Sequence, residues 1–285
     1  VLQILLILLP AQLARPATVV PPGLDTFDLS NRTVVLSADD GYHSVYENVY
    51  PLLKRYRMTM TLALIVGCIG EGKPSYSPSD RFLNQHEIRE MMDSCGIEIA
   101  SHTLTHPGLS RVGRDAAWIE IADSKTQLES LFGKEVITFV YPYGDMNGRV
   151  REMVRSAGYK LARKVGPGIP NLWVEPYRIP EVELRIQARL PEIINHIRRN
   201  QVTVILFHRI VHAPRAFTEW SIDDFQALLE WMHRRRVRVV TLAEFYREWW
   251  RKRLDRALVE AVGRSKSTRL FEDVDVDATR TPHTR

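Results

Sequence analysis

From about residue 33 to residue 246 the chain repeats one unit: a short apolar run, then a longer stretch with apolar side chains every three or four positions. The apolar runs predict strands at 33–38, 59–66, 97–100, 136–140, 159–162, 177–179, 203–207 and 237–241. The periodic stretches between them predict helices at 44–57, 84–94, 114–132, 147–157, 191–199, 221–234 and 242–256. Runs that are apolar throughout, such as Val34-Val35-Leu36, suit strands covered on both faces, as in a parallel sheet. Repeated β-α units build such a sheet with helices outside it. Seven or eight strands favour a closed or partly closed barrel over an open doubly wound sheet. No Gly-x-Gly-x-x-Gly stretch follows the first strand, which weighs against a dinucleotide site. The expected fold class is therefore α/β, a (β/α)7–8 barrel in a single domain spanning residues 31–256.

The flanks have a different character. Val1 to Pro10 is an apolar run too short to span a bilayer as a helix, and Ala11, Ala14 and Ala17 follow it as small residues. It reads as the core of an export signal, with a membrane tether or a buried strand as alternatives, and residues 15–30 read as a linker. Residues 257–285 lose periodicity and read as a disordered tail. Cys68 and Cys95 fit neither a disulfide framework nor a Cys-x-x-Cys metal site, and their placement at opposite strand ends predicts two free thiols. The net charge of +5 gathers in arginines between Arg234 and Arg256. No nucleic-acid reader motif accompanies it, so a solvated helix face is expected and no nucleic-acid partner.

The strands end in chemistry. Strand 33–38 runs into Asp39-Asp40-Gly41, two carboxylates that repel each other unless water or a cation offsets their charge. Strand 97–100 runs into Ser101-His102-Thr103-Leu104-Thr105-His106. Two His four apart fall on one face of a helical turn, so both rings could reach one ion. With one carboxylate they leave coordination positions open, as a catalytic divalent site requires. Strand 136–140 ends in Tyr141-Pro142-Tyr143-Gly144-Asp145, and strand 203–207 in Leu206-Phe207-His208. In a β/α barrel the C-terminal strand ends face the active site, so all four clusters belong on one side.

The order Ser-Ala-Asp-Asp-Gly, His-Thr-Leu-Thr-His, Tyr-Pro-Tyr-Gly, Leu-Phe-His resembles the NodB-homology polysaccharide deacetylases, carbohydrate esterase family 4, over about residues 33–246. The stretch Asp40 to Asn48, with Pro51-Leu52-Leu53, is most similar to the branch acting on exported poly-N-acetylglucosamine. The resemblance implies a distorted barrel and metal-dependent removal of acetyl groups from an N-acetylated glycan. It implies Asp39 as general base, and Asp40, His102 and His106 as ligands of a divalent metal. Zinc is the default ion, with iron, cobalt or nickel able to use the same ligands. It further implies the backbone N–H of Tyr143, after Pro142, as oxyanion donor. Leu206 becomes an apolar wall and His208 the general acid. Arg178, in Arg178-Ile179-Pro180, is expected to orient Asp39. Asp145, Trp173, Trp220 and Tyr141 are candidates for a sugar groove.

Three departures stand out. Ala38 replaces a bulky residue, Val140 stands where an Arg is common, and the Asp-Trp pair that tunes the acid His has no clear match. Alternative substrates within the fold are peptidoglycan, a chitooligosaccharide or a small amide. A glycan-binding protein without turnover is the alternative outside catalysis.

Overall fold

The computed structural model describes residues 31–70, 80–164, 166 and 176–249. The expected export segment and tail, and Trp173, lie outside the described residues. Among those described, no helix is long and apolar enough to cross a membrane.

Eight strands form one parallel sheet. They are β1 (Thr33–Ala38), β2 (Thr61–Leu64), β3 (Glu98–Ser101), β4 (Thr138–Val140), β5 (Leu161–Arg163), β6 (Val182–Glu183), β7 (Val202–Phe207) and β10 (Arg238–Val240). The order is β5-β4-β3-β2-β1-β7-β6, with β10 also on β1. The middle strand β1 pairs with β7 along its whole length, with β10 at its start and with β2 at Ser37 and Ala38. Among the described residues, the open side between β5 and β6 is crossed by the bridge Arg163 to Ile179. The sheet is thus curled almost into a barrel, as the strand count implied. Strands β8 (Arg209–Val211) and β9 (Glu219–Ser221) form a separate parallel pair that the periodicity did not signal.

Among the described residues, helices α1 (Tyr50–Tyr56), α2 (Gln85–Cys95), α3 (Arg114–Phe132), α4 (Gly148–Ser156), α5 (Leu190–Arg199) and α6 (Ile222–Arg234) cover the outside, and residues 242–249 are helical as well. The sequence signals that mark them are local. Asn84 caps α2 in a capping box with Glu87, and Gly96 and Gly133 close α2 and α3 in left-handed conformation. The helix expected at 44–57 divides into a π-helical turn, Val45–Val49, and α1, with Pro51 in its first turn. Cys68 and Cys95 are free thiols.

Strand alternation sorts the core into two faces. Val34, Leu36 and Ala38 of β1 and Ile205 and Phe207 of β7 join the large cluster under the helices. Val35, Leu161, Val204 and Val240 meet Leu242 and Trp249 in a smaller cluster, the floor of the barrel. Above that floor Ala63, Ala100 and Val140 pack together. Further along the same face come His102 and Arg163, two residues beyond Ala100 and Leu161, and Asp39 and His208, four residues beyond Val35 and Val204. Ala38 therefore faces the helix layer and not the reactive side.

Candidate active site

Asp39, Asp40, His102 and His106 are all buried, at the C-terminal ends of β1 and β3. The turn after β1 is possible because Gly41 takes φ +83°, and a Cβ there would lie 2.8 Å from Leu64 Cδ2. Its carbonyl accepts from Leu83 N–H at 2.9 Å, and the Tyr42 and Phe82 rings stack at 5.0 Å, tying the turn down.

The two histidines converge by a different route from the helical turn expected for them. Thr103 and His106 are left-handed, at φ 70° and 65°, so the segment doubles back. The His106 N–H donates to Thr103 Oγ1 at 2.9 Å. Glu120 of α3 accepts from Leu104 and Thr105 N–H at 2.8 and 2.9 Å, and Gly67 N–H donates to the Leu104 carbonyl at 2.9 Å. Among the described residues six non-glycines have positive φ. Asp40, Thr103, His106 and Tyr143 are four of them, each costing about 1–2 kcal/mol. Arg57 and Arg236 are the other two. The strain is concentrated at the reactive strand ends.

The donor atoms fit a metal ion. His102 Nε2 and His106 Nε2 are 3.1 Å apart, and each is 3.5 Å from Asp40 Oδ1. Ion-ligand distances of about 2.0–2.1 Å put neighbouring atoms of a tetrahedral site roughly 3.3 Å apart. His102 Nδ1–H donates to the Val140 carbonyl at 2.8 Å, which leaves the Nε2 lone pair for an ion. Asp40 Oδ1 is buried and accepts no hydrogen bond among the described residues. Burial, opposed by His102 and His208 and reinforced by Asp39, pushes the Asp40 carboxyl above its usual range. Burial, with His102 and His208 nearby, pushes His106 down to about 2, a neutral ring ready to ligate. These three residues are the group of His, Cys, Asp or Glu side chains that converges in this way among the described residues.

Asp39 is treated differently from its neighbour. Its Oδ1 accepts from Arg163 Nη2, and its Oδ2 lies 3.9 Å from His102 Nε2. Burial alone would raise its pKa, but Arg163, His102 and His208 outweigh that and hold the carboxyl below the usual range. Arg163 is wholly buried and its other arm pairs with Glu181.

The guanidinium on Asp39 is thus not that of Arg178, which is exposed and lines a surface cavity. Arg163 does what was expected of Arg178. It stands on β5 directly opposite Val140 of β4, so the cation comes from the strand beside the position where an Arg was looked for. The signal was present: Leu161 is apolar and Arg163 shares its face. The strand expected at 159–162 stops one residue short of Arg163, which is the last residue of β5.

His208, at the end of β7, is partly buried, and its Nδ1 lies 3.8 Å from Glu183 Oε1. Glu181 and Glu183 flank Val182, the first residue of β6. Glu183 is the carboxylate near His208, while Glu181 pairs with Arg163. Leu206 is fully buried, outside the packed apolar clusters that take Ile205 and Phe207.

Pro142 and Tyr143 form a 3₁₀ turn. The turn's backbone bonds run from Gly144 N–H to Tyr141 and from Asp145 N–H to Pro142, each 2.9 Å, so the Tyr143 N–H is not spent on it. The Tyr143 ring is 62% exposed and stands against His106 at 4.5 Å between centroids. The proposed sugar groove is corrected at three places. Tyr141 and Trp220 are buried core side chains, the latter donating from Nε1 to the Ala188 carbonyl at 3.0 Å. Asp145 is committed to the backbone N–H and hydroxyl of Ser110, at 3.0 and 2.5 Å.

Comparison with known proteins agrees with this geometry. Residues 28–162 match the family model described as polysaccharide deacetylase. That stretch, a little under half of the chain, is similar to that family. The match covers Asp39, Asp40, His102, His106 and Tyr143, while Arg163, Glu181, Glu183 and His208 come after it. YxkH of Bacillus subtilis, named provisionally as a polysaccharide deacetylase, is 30% identical over 139 residues, 49% of this chain and 47% of that one. The poly-β-1,6-N-acetyl-D-glucosamine N-deacetylase of Staphylococcus aureus is 31% identical over 137 residues, 45% of this chain and 46% of its own length. The chain thus spans about half the length of the curated relatives it matches. A family 4 acetyl xylan esterase from Clostridium thermocellum, solved with a cobalt ion, shares the fold, with TM-score 0.52 at 22% identity. That likeness covers 75% of this chain and 90% of the esterase.

Proposed function

We propose that the protein is a metal-dependent hydrolase that removes N-acetyl groups from an N-acetylglucosamine-containing polysaccharide. One observation carries the reading: two adjacent carboxylates are divided, Asp40 Oδ1 facing the two His Nε2 atoms at 3.5 Å and Asp39 Oδ1 bound by Arg163. A ligand and a base are needed side by side in such chemistry, and a single environment could not make both. The likeness to the Staphylococcus aureus enzyme over 137 residues supports the amide of an acetylated glucosamine as the bond attacked.

Asp40, His102 and His106 are the residues that would hold the cation. A divalent ion there supplies Lewis acidity and lowers the pKa of bound water. Two His and one carboxylate suit zinc, and also iron, cobalt or nickel. Asp39 is the general base: Arg163 keeps it ionised despite burial, so it can take a proton from water near neutral pH. The Tyr143 N–H, free of its turn, is the donor to the developing oxyanion. His208 is the general acid for the leaving amine, and Glu183 beside its Nδ1 stabilises the imidazolium. Pro142 and Leu206 wall the site. Base and acid stand on adjacent strands, β1 and β7. The apolar run of residues 1–10 supports a place outside the cytoplasm, where such polymers are met.

Acetate release tests the reading. Metal-loaded protein is incubated with β-1,6- and β-1,4-linked N-acetylglucosamine oligomers, peptidoglycan and a small acetamide. Release from at least one acetylated glucosamine polymer, and not from the small amide alone, is expected. Release from none of the polymers removes the assignment and leaves a glycan-binding protein.

A further inference from the structure

Among the described residues the exposed large apolar side chains are Trp118 and Ile119 on α3, Tyr143 and Phe217. Tyr143 and Phe217 both stand at the reactive end of the sheet. Tyr143 follows β4, and Phe217 lies in the loop between β8 and β9. In the order β4-β3-β2-β1-β7-β6, the metal ligands and Asp39 at the ends of β3 and β1 fall between the two rings.

The place of Phe217 is fixed by its backbone. Its carbonyl accepts from Ile186 N–H at 3.2 Å, and the next carbonyl, of Thr218, accepts from Arg209 N–H at 3.3 Å. Ile186 lies shortly beyond β6, and Arg209 directly follows His208, so the ring is anchored past the C-terminal ends of β6 and β7. Glu219 holds the loop in shape. Its Oε2 accepts from Arg215 and Ala216 N–H at 2.6 and 2.8 Å, and its own N–H donates to the Ala216 carbonyl at 3.0 Å. A surface shaped in advance loses less freedom when a ligand settles on it.

The side chain is held too. The guanidinium carbon of Arg185 lies 4.1 Å from the ring centre, over one face. The same guanidinium pairs with Glu183 Oε2, and Glu183 Oε1 is 3.8 Å from His208 Nδ1. Contact by contact, Phe217, Arg185 and Glu183 lead to the acid of the reaction. The reacting amide must meet His208 itself, so a ring this far along the chain of contacts meets a neighbouring sugar. Phe217 is 51% exposed, with a cation behind it and solvent in front. A β-linked glucosamine ring turns axial C–H bonds to both of its faces, and such positive C–H groups stack on the negative face of an aromatic ring.

We propose that Phe217, backed by Arg185, is a stacking platform for the sugar next to the one that is deacetylated, on the acid side of the site. The polymer then crosses the strand ends between Tyr143 and Phe217. This rests on the deacetylase reading for its polymer, and the test is one of binding so that the two fail separately.

Titration calorimetry compares N-acetylglucosamine with its β-1,6- and β-1,4-linked tetramers, on zinc-loaded protein and again in chelator. A tetramer of at least one linkage is expected to bind more tightly than the monosaccharide. Phe217→Leu keeps an apolar side chain without an aromatic face, and should weaken that tetramer about tenfold while leaving the monosaccharide unchanged. Phe217→Tyr keeps the face and should keep the affinity. If Phe217→Leu fails to fold, saturation-transfer NMR on the unaltered chain decides. The axial protons on one sugar face should then be saturated first, and saturation spread evenly over the tetramer counts against the platform. Tetramer affinity that survives Phe217→Leu, a loss equal for tetramer and monosaccharide, or no tetramer binding in either condition overturns it. No turnover is needed, so absence of acetate release bears on the enzyme reading alone.

Discussion

Arg163 is the residue on which the division of labour between Asp39 and Asp40 depends, and replacing it by Met keeps the length of the side chain while removing its charge. At about 4 Å and an effective dielectric of about 20, one charge pair is worth about 4 kcal/mol, or roughly three pKa units. Carboxylates beside a guanidinium are lowered by about 1–3 units, so that much should be regained by Asp39 on removal. The sign follows from its ionised form being the active one. A carboxyl held low is charged, and useful as a base, down to its depressed pKa. Raised, it is lost at a higher pH, and the acidic limb of kcat/KM for acetate release moves up by about 1–3 units.

Stability changes as well, because Glu181 and Asp39 are left buried without their cation. Breaking such a pair costs about 3–5 kcal/mol, a fall in Tm of roughly 6–20 °C. Arg163→Met/Glu181→Gln removes the second buried charge and should recover most of the Tm while keeping the shifted limb. Arg163→Lys, which restores a charge without the fork, should return the limb part of the way. An acidic limb in the double variant that overlays the wild type would refute the claim that Arg163 sets the state of Asp39.

Other expectations follow from the same geometry. Glu183→Gln leaves His208 without a carboxylate near its Nδ1 and should lower kcat about 10–100-fold with little change in KM; an unchanged kcat would show that Glu183 serves only Arg185. Gly41→Ala forces a Cβ to 2.8 Å from Leu64 Cδ2 at φ +83° and should destabilise the fold by more than about 1 kcal/mol, read by urea titration. Zinc at about 100 times its Kd should stabilise the chain by about 2.7 kcal/mol, and Asp40→Ala should abolish that gain in Tm. Cys68, pushed up to about 12 by burial and then by Asp40, should resist iodoacetamide at pH 8 until the protein unfolds, as followed by mass spectrometry.

Much of the fold was legible because strands and helices here differ sharply in period. The helix at 114–132 matches α3 residue for residue, since Gly113 and Gly133 bracket it. The strand-end clusters at Asp39, His102 and His208 were legible for a related reason. Each lies an even number of residues beyond an inward-facing apolar side chain, and a polar residue in that series has to be explained. What escaped had no local period. The His102–His106 turn is shaped by contacts with Gly67 and Glu120, distant in sequence, which no spacing rule conveys. Arg163 falls one residue past the strand expected at 159–162, and the two-residue strand holding Glu183 is too short to show alternation. Trp220 and Tyr141 were read as groove residues because aromatic chemistry alone does not distinguish a sugar platform from packing.

The central claim is that two adjacent aspartates do different work, Asp40 holding a cation and Asp39 moving a proton. Metal content and acetate release of Asp39→Asn, measured on the same preparation, test it most directly. One divalent ion per chain should remain while kcat falls about 10²–10⁴-fold. Loss of the metal with the carboxylate, or turnover kept at the wild-type rate, would contradict the division.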